Sequence, residues 1–217
     1  MRLFASIRPP DVVLVHLAAA LGAVSLGRGE GPAGRSTGPV RWSPPENWHV
    51  TLAFYGEASE GAVPELEQGL ATLAEEQAPF GLRLRGAGVF SHRTLWVGVA
   101  GDGSAVSRLA LGAREVGAAV LGRTEARERS RPHLTVGRVT DDVRAARTRR
   151  RPARAAAARG RADDGDPLAA AVRALGVYEG PSWTVEEVRL VRSELGQGRG
   201  GAALHVDVAS FPLLGAG

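Results

Sequence analysis

HVTLAFY at residues 49–55 and HLTVGRV at residues 133–139 decide the reading of this chain. Each begins with a histidine, an apolar residue, a threonine and a second apolar residue. Alternation of this kind is the signature of a strand, in which residues i and i+2 share a face. His49 and Thr51 therefore point one way while Val50 and Leu52 pack inward, and His133 and Thr135 repeat the arrangement above Leu134 and Val136. Two such strands side by side would turn two imidazoles and two hydroxyls toward one cleft. That set suits a phosphodiester. The hydroxyls can donate to nonbridging oxygens, one imidazole can give a proton, and the other can accept one. Histidine titrates near neutrality, so the two can hold opposite protonation states at one pH.

Working outward, RLFASI (Arg2–Ile7) reads as a short strand, and Asp11, after Pro9-Pro10, can cap a helix running to about Leu21. Residues 27–40 hold five glycines and two prolines and read as a loop. GAVPELEQGLATLAEEQ predicts an amphipathic helix with Leu66, Leu70 and Leu73 on one face. Phe80–Phe90 and Thr94–Ala100 predict paired strands, Ser104–Leu121 a helix, Arg131–Val139 a strand and Pro167–Leu175 a helix. SWTVEEVRLVRSE and ALHVDVAS read as two closing strands around a Gly-rich turn, Gly196–Gly201. Strands and helices thus recur in two similar halves, each with one His-x-Thr strand. The expected fold is α+β, with two pseudo-symmetric lobes, each an antiparallel sheet with helices packed outside and a cleft between them.

Composition narrows the chemistry. The chain has 217 residues, no cysteine, and 27 basic residues that are all arginine. Disulfides, thiolate nucleophiles, thiolate zinc sites and iron–sulfur clusters are excluded. So are Schiff bases and lysyl-nucleotide intermediates, and a P-loop would lack its lysine. The net charge of +4 matches that of one segment, Asp141 to Gly165, which holds eight arginines and four aspartates. This Arg/Ala-rich tract, 141–166, reads as a flexible insertion in a single domain of two lobes spanning 1–217. It is either a solvated run or an arm for a polyanion. The apolar run Val12–Leu26 contains His16 and falls short of the ~20 residues that span a bilayer, and MRLFASIRPP is not a signal peptide, so the expected location is the cytoplasm.

With both motifs and their flanks in view, the chain resembles the two-histidine phosphoesterase superfamily, in particular its bacterial RNA 2′,3′-cyclic phosphodiesterase branch. The resemblance runs through RLFASI, RWSPPENWHVTLAFYGE, TLWVGV, RSRPHLTVGRV and VRLVRSELGQGRG. It implies hydrolysis of RNA 2′,3′-cyclic phosphate ends to 2′-phosphates by metal-independent acid–base catalysis, with no cofactor. It makes His49 the proton donor, His133 the proton acceptor, and Thr51 and Thr135 the phosphate-holding hydroxyls. The expected partner is RNA with cyclic phosphate ends, acted on by a monomer without membrane or metal. Three other functions remain open: ATP-independent 2′–5′ end joining, non-catalytic RNA-end binding, and cleavage of a small-molecule cyclic phosphate.

Secondary candidates surround this set. Arg131, two residues before His133, would share its face and could contact phosphate. Ser193 and Arg192 could border the cleft or merely end a strand. Trp42 and Trp48 could stack a base or belong to core or lid. His16, His92 and His205 stand outside the pattern, and His205, between Leu204 and Val206, reads as solvent-facing. A three-histidine metal site built on His49, His133 and one of these has no His-x-x-x-His or carboxylate cluster behind it.

Overall fold

The computed structural model describes residues 1–25, 40–123, 131–139 and 167–215. The Arg/Ala-rich tract at 141–166 and all but the last residue of the 27–40 loop lie outside them.

The described strands form one sheet in which every pairing is antiparallel. In chain order they are β1 (Arg2–Ile7), β2 (Val40–Trp42), β3 (Val50–Glu57), β4 (Phe80–Phe90), β5 (Thr94–Gly101), β6 (His133–Val139), β7 (Glu179–Val185), β8 (Glu187–Glu194) and β9 (Leu204–Pro212). Their spatial order is β7-β4-β5-β6-β3-β1-β8-β9, with β2 paired to β6 as well. This is two four-stranded lobes, β7-β4-β5-β6 and β9-β8-β1-β3, placed so that β6, which begins at His133, and β3, which His49 immediately precedes, are innermost. The lobes meet where Val50 of β3 pairs with Leu134 of β6. Both side chains are fully buried, so the apolar partners of the two motifs form the seam and leave the opposite face to His and Thr.

Among the described residues four helices cover the apolar face, α1 (Asp11–Ser25), α2 (Val63–Glu75), α3 (Gly103–Leu121) and α4 (Pro167–Leu175). α2 and α3 lie on the β3 lobe, while α1 and α4 lie on the β6 lobe. The buried stripe of α2 is Leu66, Leu70 and Ala74, one residue per turn. Leu73 instead reaches α3, where Gly112 leaves it room: a Cβ on that glycine would lie 2.4 Å from the leucine side chain. Asp102 caps α3 by accepting from the Ala105 amide, and Gly122 ends it in the left-handed conformation at φ 64°. α3 is fastened to β3 by Tyr55, whose hydroxyl donates to the Ala113 carbonyl. Among the described residues no helix is long and apolar enough to cross a membrane.

Two expectations about chain organisation change. The lobes are not successive halves of the chain: one combines strands from both ends, and the other takes β4 to β7 from between them. The stretch SWTVEEVRLVRSE is also two strands rather than one. It breaks at Glu186, so that β7 pairs with β4 at one end of the sheet and β8 with β1 and β9 at the other. Both segments alternate, so nothing local marks the crossing from one lobe to the other. The seam itself is testable. Leu134 also pairs with Val97 of β5, and Leu134→Ala should cost about 2–5 kcal/mol of stability, read as a lower urea midpoint at unchanged slope.

Candidate active site

Trp48 sets up the first half of the site. Its indole is fully buried and its Nε1 donates to the Ser43 carbonyl at 2.9 Å, closing the turn around Pro45–Asn47. Asn47 adds a second tie, its Nδ2 donating to the Ala203 carbonyl at 2.7 Å, just before β9. The turn so held presents the Asn47 carbonyl to His49, whose Nδ1 donates to it at 2.8 Å. The second motif is built the same way: Nδ1 of His133 donates to the Arg131 carbonyl at 2.8 Å. In both cases the carbonyl two residues upstream fixes the tautomer, which leaves Nε2 as the acceptor nitrogen of the neutral ring. Nε2 of His49 lies 3.1 Å from the Thr51 hydroxyl, which donates to it while the ring is neutral.

The walls of the cleft differ. His49 lies flat on Phe4 of β1, centroids 4.7 Å apart, and the edge of His205 from β9 meets both rings, at 5.2 Å from His49 and 5.0 Å from Phe4. On the other side, His133 meets Phe90 edge-on at 4.8 Å and Trp96 at 6.2 Å, with Phe90 and Trp96 stacked on each other. Trp96 is the cross-strand partner of Thr135 and of Gly88. A Cβ at Gly88 would lie 2.3 Å from the indole, so only glycine lets Trp96 settle onto β4. The His49 side carries charge instead. Arg189 bonds to Glu187 at 2.6 Å and to Asp207 at 2.7 Å, opposite the buried Ser6.

Electrostatics separate His49 and His205 from ordinary surface histidines. Burial pushes the pKa of His49 down to about 4, and the positive charges of His205, His133 and Arg8 add to that, against the bond to the Asn47 carbonyl. His205 is also lowered, mainly by burial, with Asp207 opposing. His133 is near enough for its charge to be felt at His49.

Several candidates now have places. The structure places Thr51 on β3 and His133 and Thr135 on β6, with His49 immediately before β3, where the two strands meet at the seam. Arg131 is exposed just before β6 and contributes its carbonyl to His133. Ser193 is the cross-strand neighbour of His205 on the cleft face, whereas Arg192 pairs opposite Leu3, off that face, and bonds to Glu194 at 2.9 Å. Trp48 is core, and Trp42 is half-buried, paired with Gly137. His16 bonds to the Tyr178 hydroxyl at 3.1 Å, and His92 sits in an exposed turn at φ 54°. Among the described residues no group of three or more His, Asp or Glu could hold a metal ion. His205 is the correction: it is not solvent-facing but packed into the site. Alternation in LHVDV could not reveal this, because what covers β9 comes from β1 and the turn before β3, far away in sequence.

Two imidazoles, each with Nδ1 on the carbonyl two residues upstream and a threonine two residues on, at the start of the mirrored inner strands of a curled two-lobed sheet, are the arrangement expected of a two-histidine phosphoesterase. The comparisons agree. Residues 32–96 match the family model described as LigT like Phosphoesterase. The chain is 30% identical over 203 residues to the RNA 2′,3′-cyclic phosphodiesterase of Thermus thermophilus, covering 90% of this chain and 83% of that one. A protein of the same name from Methanothermobacter thermautotrophicus is 32% identical over 160 residues, covering 72% and 74%. Other relatives so named are matched over less of their length, 37% for that of Geobacillus stearothermophilus and 58% for that of Aeropyrum pernix. In structure, a crystal structure of a Thermus thermophilus protein superposes over 100% of both chains, with a TM-score of 0.68 and 26% identity. The chain belongs to the LigT-like phosphoesterase family.

Proposed function

We propose that the protein hydrolyses 2′,3′-cyclic phosphates at RNA ends, leaving 2′-phosphates, with His49 and His133 as its acid and base and without a metal ion. The observation that supports this reading is the repeated device of Nδ1 on an upstream carbonyl, which leaves both Nε2 atoms as acceptors in the neutral rings. Water gives a proton to Nε2 of His133 as its oxygen bonds to phosphorus. The bond from phosphorus to the 3′ oxygen breaks, and that oxygen takes a proton from Nε2 of His49. Thr51 and Thr135 donate to the nonbridging oxygens. Relatives bearing the name RNA 2′,3′-cyclic phosphodiesterase support the substrate class.

The free site and the working site differ in charge. With a pKa near 4, His49 is neutral at pH 7 and has no proton to give. A phosphodiester anion hydrogen-bonded at Nε2 supplies the opposite charge that favours the protonated ring. His49 is therefore charged together with substrate binding and becomes an acid only in the occupied cleft.

Incubation with an RNA ending in a 2′,3′-cyclic phosphate, followed by product analysis, tests the reading. A 2′-phosphate is expected. A 2′–5′ joined product would point to end joining, and binding without turnover to a passive end-binder. The same assay after exhaustive dialysis against EDTA should keep its full rate, since two imidazoles supply both proton transfers. Loss on chelation with recovery on added zinc or manganese would reject the metal-free mechanism.

A further inference from the structure

We infer that His205 and His49 work as one proton-holding pair: packed ring to ring on Phe4, they take up a single positive charge between them when a phosphate fills the cleft. The inference rests on the proposed function only in making a phosphate the occupant.

The imidazole of His205 meets His49 at 5.2 Å and Phe4 at 5.0 Å, both edge-on. It is half-buried. Ser193, its cross-strand neighbour on β8, adds a hydroxyl on the same face. A phosphate bound at Nε2 of His49 would meet these groups next.

The charges around the pair explain why it holds only one proton. From β6, His133 acts on His49, and Arg8, after β1, adds a second positive charge. Arg8 itself donates to the Glu46 carbonyl and lies 3.5 Å from Asp11. From β9, Asp207 is the carboxylate that favours a charged His205, but it is bonded at 2.7 Å to Arg189, which also holds Glu187. The neighbouring carboxylates are thus engaged by arginines, and neither imidazole has a counter-ion of its own. Two charged rings in contact would repel each other in a partly dehydrated place, so the first proton disfavours the second. A bound tetrahedral anion supplies the missing negative charge and brings one proton in with it.

Proton-linked imidazole signals of 15N-labelled protein, followed by NMR against pH, test this without any turnover. In His205→Phe, which keeps an aromatic edge against Phe4 and His49, the His49 midpoint should rise from about 4 by the part that the His205 charge contributes, while burial, the larger cause, stays in place. His205→Gln should do the same without the aromatic ring. The interaction is mutual, so His49→Gln should raise the His205 midpoint wherever the two rings charge over the same pH range. Added inorganic sulfate, a tetrahedral dianion that does not titrate in this range, should raise the His49 midpoint in the wild type. Unchanged His49 midpoints in both His205 variants would overturn the pair, as would two rings that charge independently with sulfate bound. A protein inactive on cyclic phosphates would leave these titrations untouched, so the two readings fail separately.

Discussion

His49→Ala and His133→Ala should each lower the turnover of a nucleoside 2′,3′-cyclic monophosphate by ~10²–10⁴-fold, the usual size of one lost proton-transfer role. The two losses arise at different places in the reaction. Without His133, water attacks without a base; without His49, the 3′ oxygen leaves without a proton. Neither substitution should unfold the protein, because the buried partners Val50 and Leu134, not the histidines, form the seam between the lobes. Near-ultraviolet circular dichroism checks that point. Thr51→Ala and Thr135→Ala should cost less than either histidine, each removing one hydrogen bond to phosphate. A protein lacking both histidines that turned over normally would end the two-histidine mechanism. So would an undiminished rate in either single variant.

That the two motifs could be read from the chain at all follows from their local character. Strand alternation places His and Thr on one face and apolar residues on the other, and it depends on nothing beyond four consecutive side chains. The same holds for Phe80–Phe90 and Pro167–Leu175, whose bounds the structure reproduces. What escaped is non-local. The break at Glu186 depends on which neighbours the two flanking strands find, β4 for one and β1 with β9 for the other. His205 enters the site only because β9 lies beside β8 and Asn47 ties the preceding turn to Ala203. The wall of Phe90 and Trp96 likewise depends on Gly88 lying under the indole, a close approach that reads in sequence as an ordinary strand glycine. The depression of the His49 pKa has the same origin: it comes from burial against β1 and β9, not from the motif that carries the histidine.

The two histidines are separated by the leaving group. An alkoxide needs a proton to depart, whereas an aryl oxide whose conjugate acid has a pKa near ~7 leaves largely unaided, as Brønsted behaviour requires. A phosphodiester carrying such an aryl group should therefore restore much of the rate lost in His49→Ala, recovering most of the ~10²–10⁴-fold deficit. It should restore little in His133→Ala, because the attacking water still lacks a base. The contrast between the two variants on the same pair of substrates is the measurement, and it cancels any general loss of binding. Rescue of His133→Ala instead would exchange the two roles, making His49, the half-buried imidazole that is neutral in the free site, the base. Equal rescue of both would mean that neither histidine protonates the leaving oxygen, and the acid would have to be sought elsewhere in the cleft. A 3′-phosphate product from the cyclic substrate would reverse the orientation of the sugar, putting the 2′ oxygen next to Nε2 of His49.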